Sequence, residues 1–367
     1  MGFKCGIIGL PNVGKSTLFN AVTATHNAQA ANYPFCTIEP NSGSVDVPDA
    51  RLALIAALMS SEAVIPNQVE FVDIAGLVKG ASKGEGLGNQ FLANIREVNA
   101  IIHVLRCFVD TDITHVEGDI DPLRDAAIVE TELMLADLES LEKQYIRIQK
   151  RAKTQDKEAL KLLPLIEMVK PVLEEGLPAR HVFEKLNEED KTTFRTLNLL
   201  TSKPVLYVCN VEESAAATGN DFSRLVETMA HEQNAQAVFI SAAIESEIAN
   251  LEEADKLDFI ASLGLSEPGL HKIIRSAYEL LEQITFFTAG PKETRAWTLK
   301  KGLKAPQAAG VIHTDFERGF IKAETIAYDD FIQFKGEQGA KEAGKLRQEG
   351  KEYLVKDGDI FHFKFNV

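Results

Sequence analysis

The octapeptide at residues 9–16 constrains this chain more than any other feature, because it has the spacing of a phosphate-binding loop. Its letters are GLPNVGKS, and it follows a short apolar strand predicted over residues 3–8. A run of helix-forming residues, TLFNAV, begins at residue 17. Strand, glycine-containing loop and helix in this order let backbone N–H groups converge on a phosphate cluster. The sequence therefore predicts that the chain binds a nucleoside triphosphate.

Each residue type in this loop has a physical role. Gly14 lets the backbone curl, Lys15 reaches the β- and γ-phosphates, and the Ser16 hydroxyl takes one Mg²⁺ position. The side-chain carbonyl of Asn12 can also complete the shell of a monovalent cation beside the phosphates, which predicts stimulation by K⁺. The phosphate and metal contacts predicted from the chemistry of this loop are therefore Gly14, Lys15 and Ser16.

A second group of residues is predicted to complete the phosphate end of the site. The letters DIAG at residues 73–76 end an apolar strand, where related hydrolases place a Mg²⁺-associated Asp and a glycine whose N–H meets the γ-phosphate. Asp73 is thus a predicted metal residue, and Gly76 and Lys15 are predicted catalytic residues. Thr37, on a predicted loop, offers a second hydroxyl ligand for Mg²⁺, with an ordinary surface threonine as the alternative.

Leu77 stands where many related GTPases carry a glutamine that orients the attacking water. Leucine can neither donate nor accept a hydrogen bond, so the chain must orient water differently or hydrolyse slowly, and intrinsic rates in this class are on the order of 10⁻⁴ to 10⁻² s⁻¹. His115, in a polar loop, is the predicted catalytic substitute, with a solvated histidine as the alternative. His103 lies within an apolar strand and is expected to be structural.

The residues expected at the base depart from the guanine-specific pattern. Guanine-specific proteins end the equivalent strand with Asn-Lys-x-Asp, whereas this chain reads Asn-Val-Glu-Glu at residues 210–213. Glu213 is one methylene longer than Asp, and Val211 has no stem to cover the ring. Hydrogen bonds to a charged acceptor contribute roughly 1.5–3 kcal/mol each. We therefore expect ATP to bind at least as well as GTP, with Asn210 accepting from the adenine amino group and Ser241 in the next base-facing turn.

Composition and charge exclude several classes of protein. The net charge of −15 argues against unaided wrapping of nucleic acid, and no run of 18 apolar residues predicts a membrane span. The four cysteines lie far apart without metal-ligand spacing, which predicts reduced thiols in a cytoplasmic protein. A basic island mid-chain is either a solvated helix surface or a polyanion contact. It consists of Lys143, Arg147, Lys150, Arg151, Lys153 and Lys157.

Alternating strand and helix patterns predict an α/β fold with a mostly parallel sheet. We assign residues 1–125 and 204–281 to this split nucleotide-binding domain. Residues 126–203 have two apolar stripes at helical spacing and are predicted to form an inserted helical hairpin. Residues 282–365 combine short strands with one helix and are predicted to form a small α+β domain.

The hairpin itself carries two further expectations. Its turn is expected at residues 154–156, between the two apolar stripes. Pro164 and Pro171 lie within the second stripe, and an interior proline destabilises a helix by about 3 kcal/mol. The sequence therefore predicts a kink or a break in the second helix.

Taken together, the motifs resemble a known family. The glycine-rich run at residues 73–92 resembles the second switch of Obg-type NTPases. With NYPFCT at 32–37, NVEE at 210–213 and HTDFERGF at 313–320, the whole chain looks like the YchF/Obg-like ATPase subfamily. The resemblance implies an Obg-type P-loop domain, an inserted helical hairpin and a C-terminal TGS domain of β-grasp fold.

The resemblance also implies functional assignments. It places nucleotide on residues 12–17, Mg²⁺ on Ser16 and Thr37, and the base near Asn210 and Val211. It further implies ATP preference and ribosome binding, and it makes large-subunit rRNA a target for the basic hairpin tip and the TGS domain. Phosphate contacts of that kind depend strongly on salt.

Three functions remain in competition at this point. The leading one is a ribosome-associated ATPase whose Mg²⁺-dependent hydrolysis of the γ-phosphate drives a conformational change of the switch loops. The alternatives are a non-catalytic, nucleotide-gated scaffold that binds ribosome or RNA, and a GTP-specific translation-related GTPase. The sequence leaves the oligomeric state open, with a monomer expected.

Overall fold

The computed structural model describes residues 3–30, 42–74, 87–110 and 119–366. Its strands are β1 Lys4–Ile8, β2 Ser42–Asp46, β3 Ala63–Ile65, β4 Gln68–Asp73, β5 Ala100–Arg106, β6 Val205–Asn210, β7 Gln236–Ile240, β8 Gln283–Ala289, β9 Glu293–Lys300, β10 Phe320–Ala327, β11 Arg347–Glu349 and β12 Asp359–Phe365.

The helices are α1 Lys15–Ala30, α2 Ala50–Met59, α3 Leu87–Glu97, α4 Pro122–Lys153, α5 Lys157–Glu174, α6 Arg180–Phe183, α7 Glu188–Arg195, α8 Asp221–Glu232, α9 Ala242–Asn250, α10 Glu253–Ser262, α11 Gly269–Leu280, α12 Ala305–Ile312, α13 Thr314–Arg318, α14 Tyr328–Gln333 and α15 Glu337–Glu342. Among the residues described, no helix combines the length and the apolar character needed to cross a bilayer.

These residues divide into two compact units. The large unit contains the described residues of 4–43 and 71–273, and the small unit contains Phe3 with residues 44–70 and 274–366. The sequence assigns all of residues 1–125 to the nucleotide-binding domain, whereas the structure places α2 and β3 in the small unit. This difference arises because β3 pairs with a strand that is distant in sequence, and no local pattern signals such pairing.

The sheet that contains β1 confirms the predicted α/β architecture. Its strand order is β2-β4-β1-β5-β6-β7, and β1, β5, β6 and β7 pair in parallel. All seven residues of β5 are buried, as expected for a central strand covered on both faces. The carboxyl ends of parallel strands share one edge, so the loop after Ile8 and the loop after Asn210 lie at the same edge of the sheet.

The helical hairpin forms as predicted, with one correction. Helix α4 has 32 residues, a length of about 48 Å, and the turn falls at 154–156, where Asp156 caps α5 by accepting from Glu158 N and Ala159 N. The predicted alternative of a break is wrong, because α5 continues through Pro164 and Pro171, while a kink stays a prediction. The buried face of α5, packed on α4, offsets the two missing backbone hydrogen bonds. That face consists of Ala159, Leu162, Leu165, Ile166, Val169 and Leu173.

The small unit has a mixed sheet of order β11-β10-β12-β8-β9-β3. Strands β8 and β12 pair in parallel at its centre, while β8 with β9 and β10 with β12 are antiparallel. Helix α12 packs on one face. This is the predicted β-grasp arrangement, although the sequence does not indicate β8 or β11 and predicts one helix where the structure has four. The sixth strand, β3, pairs in parallel with β9 from Ala63↔Glu293 to Ile65↔Arg295.

The other face of the small-unit sheet is covered by α2, which is fixed at its first turn by Arg51. The guanidinium bonds both oxygens of Asp49, the capping residue, and donates from Nη1 to Asp357 Oδ2 at 2.6 Å. It also lies 5.3 Å from the ring centre of Phe287. Asp357 accepts in addition from Thr285 N at 2.8 Å. Residues 44–70 are thus an integral part of the small unit.

Candidate nucleotide-binding site

The phosphate loop lies between β1 and α1, and its curvature depends on residues with positive φ. Asn12 has φ 64° and Gly14 has φ 93°. A Cβ atom on Gly14 would lie 2.2 Å from Asn210 Nδ2, and one on Gly9 would lie 2.6 Å from the Val104 carbonyl oxygen. Both glycines are therefore required by close approach of β5 and β6. Val13, by contrast, points into the core and is 1% exposed.

Lys15 bridges the phosphate loop and the end of β4. Its Nζ donates to the Ile74 carbonyl oxygen at 2.9 Å and lies 3.2 Å from Asp73 Oδ1. The two charged side chains are only 11% and 21% exposed, so water screens their attraction weakly. The lysine is thus held beside the loop by a carboxylate, where a nucleotide phosphate would compete for it.

The residues present fit a magnesium ion that takes most of its ligands from phosphate and water. Asp73 Oδ1 is buried and accepts no aligned hydrogen bond, because its contact with Lys15 is an ion pair without hydrogen-bond geometry. Ser16 is exposed in the first turn of α1. Within the described ranges, no three His, Cys, Asp or Glu side chains converge to form a metal cluster. One carboxylate and one hydroxyl suit Mg²⁺ bound together with a triphosphate.

Asn210 ties the phosphate loop to the turn after β7. Its Nδ2 donates to the Val13 carbonyl oxygen at 2.9 Å, and its Oδ1 accepts from Ala242 N at 2.9 Å. The residue is 5% exposed. Sequence analysis expects Asn210 to accept from the adenine amino group, but here both ends of the amide already bond to backbone groups. The structure thus gives Asn210 a positioning role beneath the loop.

The other residues expected at the base differ in exposure. Val211 is 2% exposed, and its N–H donates to the Ile240 carbonyl oxygen. Ser241 is 3% exposed and caps α9 by accepting from Ile244 N at 3.5 Å. Glu213 is exposed at the start of a short 3₁₀ turn. Of the four predicted base residues, only Glu213 presents its side chain to solvent.

One residue near the base loop is missed by sequence reasoning. Asn220 Nδ2 donates to the Cys107 carbonyl oxygen at 2.6 Å and to Glu212 Oε2 at 2.8 Å, linking the ends of β5 and β6. Asn220 also caps α8 in a reciprocal pair with Ser223. The Asn-x-x-Ser spacing before an amphipathic run is the signal that could have indicated it.

The remaining predicted site residues fall into two groups. Asn12, Ser16 and Thr17 are exposed on the phosphate loop and the first turn of α1. Thr37, Gly76 and His115 lie outside the described residues.

His103 is buried in β5, as its structural interpretation requires, with an exposed fraction of 4%. Burial, reinforced by the charge of Arg180, lowers the pKa of His103 to about 3. The imidazole is therefore neutral at physiological pH.

Two family models match the chain. The model described as "50S ribosome-binding GTPase" matches residues 4–211. The YchF-GTPase_C model, described as "Protein of unknown function (DUF933)", matches residues 283–366. Together they cover both the phosphate loop and the small-unit sheet.

Relatives are similar over the full length. A protein of Haemophilus ducreyi called "Ribosome-binding ATPase YchF" is 57% identical over 367 residues, which is 100% of both chains. One of Bacillus subtilis with the same name is 52% identical over 369 residues, again 100% of both. The solved structure of the Schizosaccharomyces pombe YchF GTPase has a TM-score of 0.88 at 38% identity, covering 99% of this chain and 98% of that one. With these likenesses and the geometry above, the chain belongs to the YchF family of P-loop nucleotide-binding proteins.

Proposed function

We propose that this chain is a ribosome-binding ATPase that hydrolyses the γ-phosphate of ATP slowly and with Mg²⁺. The observation that carries the proposal is the phosphate loop with Lys15 held 3.2 Å from Asp73, because this arrangement places a cation, a carboxylate and the loop N–H groups around one point. The names of the relatives support the choice of ATP and of the ribosome as partner. Ribosome binding would also place the chain in the cytoplasm.

In this mechanism the residues of the chain mainly position the triphosphate and neutralise its negative charge. Lys15 would exchange Asp73 for the β- and γ-phosphates, and loop N–H groups would bond the same oxygens. Asp73 and Ser16 would hold the magnesium ion beside the phosphates. The metal supplies neutralisation of the charge that develops on the phosphate oxygens.

Selectivity for ATP is proposed from the residues after β6. An Asp that accepts from guanine N1–H and its amino group is replaced by Glu213, whose longer side chain displaces the carboxylate, and Val211 supplies no lysine stem. Loss of one or two charge-assisted hydrogen bonds, at roughly 1.5–3 kcal/mol each, removes a ten- to hundredfold guanine preference. Asn210 contributes indirectly, since it fixes the loop on which the base would rest.

Two finer features belong to the same proposal. Leu77 cannot orient water, so we propose that His115 does so and that turnover without ribosomes is slow. Asn12 is exposed beside the phosphate loop, and we propose that its carbonyl oxygen binds K⁺ next to the phosphates. Equal turnover of His115→Ala and the unchanged chain would exclude His115 as the residue that orients water. Equal hydrolysis rates in K⁺ and Na⁺ would exclude K⁺ binding by Asn12.

The ribosomal contact is proposed at the tip of the helical hairpin. Arg151 there is paired with Asp156 and Glu158. In the described part of the chain, no carboxylate lies within ion-pair distance of four other cations of the tip, so these remain available for RNA phosphates. They are Arg147, Lys150, Lys153 and Lys157.

The charge of the tip can be tested by salt dependence. Lys150→Ala with Lys153→Ala should weaken ribosome binding and reduce the slope of log affinity against log salt by roughly 0.7–0.9 for each RNA phosphate that is no longer neutralised. Lys161→Ala is the matched control, because Lys161 lies on the same hairpin but is paired with Glu189 at 2.7 Å. An unchanged slope in the double variant would exclude the tip as the site of ribosome binding.

The decisive experiment is binding and single-turnover hydrolysis of ATP and GTP, with and without ribosomes, with Lys15→Ala as the inactive reference and Lys351→Ala as a surface-lysine control. ATP preference with cleavage accelerated by ribosomes is the expected result. Tight ATP binding without cleavage under any condition would favour a nucleotide-gated scaffold, and GTP preference would reject the base assignment. A monomer is the expected oligomeric state, which sedimentation would check.

A further inference from the structure

A small, partly open cavity lies within the large unit, and its lining includes Ile8, the residue before the phosphate loop. Strands β1, β5 and β6 form one wall, and helices α4 and α6 form the other. The space open to the centre of a water molecule is about 10 Å³, which corresponds to roughly one water. Most of the lining is apolar, but the cavity also contacts His103 and Arg180.

Two polar atoms at this cavity have no hydrogen-bond partner. They are His103 Nε2 and Arg180 Nε, on side chains that belong to residues only 4% and 6% exposed. Other polar atoms of the cluster are paired. Arg180 Nη2 bonds Glu130 and donates to Gln233 Oε1 at 3.3 Å, and Tyr207 donates to the same Gln233 oxygen at 3.0 Å. A buried donor or acceptor left unpaired destabilises a fold.

The two unpaired atoms are complementary when the single ring hydrogen of His103 lies on Nδ1, the tautomer that this proposal assigns. Arginine Nε always carries a hydrogen and can only donate. Histidine kept neutral, with its hydrogen on Nδ1, has Nε2 as an acceptor. Burial, together with the Arg180 charge, lowers the pKa of His103 to about 3, so the neutral form is the one present. A single water can accept from one of these atoms and donate to the other.

We propose that the cavity holds one ordered water molecule that accepts a hydrogen bond from Arg180 Nε and donates one to His103 Nε2. The water would join β5 to α6, and through the pair of Arg180 with Glu130 it would join β5 to α4 as well. His103 is therefore a positioning residue at the base of the helical hairpin.

The proposed water-mediated contact between His103 and Arg180 lies close to the start of the phosphate loop. His103 pairs with Ile8, the residue before Gly9, and Gly9 packs against the carbonyl oxygen of Val104. The same short stretch of β5 thus supports the loop on one side and, through the water, the hairpin base on the other. This arrangement is independent of whether the chain hydrolyses ATP or binds ribosomes.

The first test is a crystal structure at about 1.5 Å resolution or better of the full chain. One ordered water should lie within hydrogen-bond distance, roughly 3.2 Å, of both His103 Nε2 and Arg180 Nε. An empty cavity between well-ordered side chains would overturn the proposal. An anomalous peak at this position after a bromide soak would also overturn it, because the ligand would then be an anion.

Variants of His103 separate the water from simple packing. His103→Leu keeps an apolar body but removes the acceptor, so the water should be lost and the thermal midpoint should fall by roughly 4–10 °C. His103→Gln retains a terminal acceptor, and it should keep the water and recover at least half of that loss. Equal midpoints for the Leu and Gln variants would contradict the assignment. His231→Leu, exposed at the end of α8, is the control and should change the midpoint little.

A variant of Arg180 tests the proposal independently, in case the His103 variants fail to fold. Arg180→Lys keeps a positive charge near Glu130 but has no Nε donor. The water should disappear from its crystal structure or lose its bond on that side, and hydrogen exchange should increase in α6 and the first turns of α4 while the hairpin tip is unchanged. A fully ordered water with unchanged exchange in this variant would reject Arg180 as its donor.

Discussion

Both sheets of this protein have six strands, yet they are assembled in different ways. In the large unit, strands of the sheet appear as apolar runs, and β1, β5, β6 and β7 pair in parallel with covering helices between them in sequence. In the small unit, the edge strand β3 has three residues, none of them buried, and reaches its partner only in the folded state. Hydrophobic periodicity in the sequence therefore predicts the strands that are buried. It does not predict the pairing of a short exposed strand such as β3, which depends on the neighbouring elements of the folded unit.

The largest expected effect concerns the helix that accompanies β3. Ile55 on α2 is 0% exposed in the core formed with Phe287, Ala296 and Ile360. Ile55→Ala should lower the free energy of unfolding of the small unit by roughly 3–5 kcal/mol through reduced burial and the cavity left behind. Trp297, the one tryptophan of the chain, lies on β9 and reports this transition by fluorescence.

Leu54 is the matched control for this comparison. It is the preceding residue of the same helix but is 51% exposed. Leu54→Ala should change the unfolding free energy by no more than about 0.5 kcal/mol. Similar losses in the two variants would mean that α2 is not part of the small-unit core.

The next effect tests a long-range tie inside the large unit. Asn210→Ala leaves the Val13 carbonyl oxygen and Ala242 N without partners, which should destabilise the large unit by roughly 2–4 kcal/mol and weaken ATP binding. Isothermal titration and chemical unfolding measure the two effects. Asn250→Ala, an exposed asparagine whose amide bonds only the Ser246 carbonyl oxygen, is the control. Unweakened ATP binding in Asn210→Ala would remove the positioning role.

The stability of the two units should depend differently on pH. His103 has a folded-state pKa lowered to about 3 from an ordinary value of 6.5, chiefly by burial. Below pH 6.5 the unfolded chain takes up a proton at this position that the folded chain does not, so the contribution of His103 to stability falls as pH decreases towards 3. Between pH 6.5 and 4.5 the loss should be on the order of 2–3 kcal/mol.

The comparison is made between the unchanged chain and His103→Gln, followed by hydrogen exchange in β5. The difference in unfolding free energy between the two should shrink or reverse across this pH range, because glutamine does not titrate. A constant difference from pH 7 to 4.5 would show that His103 titrates normally. Signals from the small unit should not follow this pattern, because His103 belongs to the large unit.

The smallest expected effect concerns the ion pairs of Arg51 with Asp49 and Asp357, which fix the first turn of α2. Arg51→Ala removes a pair of ion contacts, but its side chain is 27% exposed and Asp357 is 50% exposed, so we expect a loss of about 1 kcal/mol. A double-mutant cycle with Asp357→Ala, read by Trp297 fluorescence, isolates the pair. Zero coupling energy would assign this ion pair no role in holding α2.

Much of the fold could be predicted from local pattern. The strand before the phosphate loop, the buried strand that contains His103 and the turn at Gln155 are all indicated by periodicity, spacing or turn chemistry. The uninterrupted helix through Pro164 is not, because propensity alone cannot weigh an interior proline against a buried face supplied by α4. The pairing of Ala63 with Glu293 has no local signature at all.

The site shows the same division. The placement of Lys15 near Asp73 could be predicted, because phosphate and metal chemistry fixes residue type and spacing, while the contacts of Gly14, Lys15, Ser16 and Asp73 with nucleotide and metal stay predictions. The partners of Asn210 could not, because a motif shows that an amide is present without showing which backbone groups it bonds. The unpaired atoms of His103 and Arg180 lie more than 70 residues apart in sequence, so only the fold brings them to one cavity.

The distant origin of β3 has a consequence for synthesis of the chain. Residues 50–65 leave the ribosome long before their partners, and the central strand β12 ends at Phe365. At elongation rates of about 5–20 residues per second, the apolar face of α2 would wait roughly 15–60 s for the strands that cover it. During that interval Leu52 and Ile55 have no native surface to pack on. Completion of the small unit therefore waits for β12, and the apolar face of α2 stays uncovered until that strand has been made.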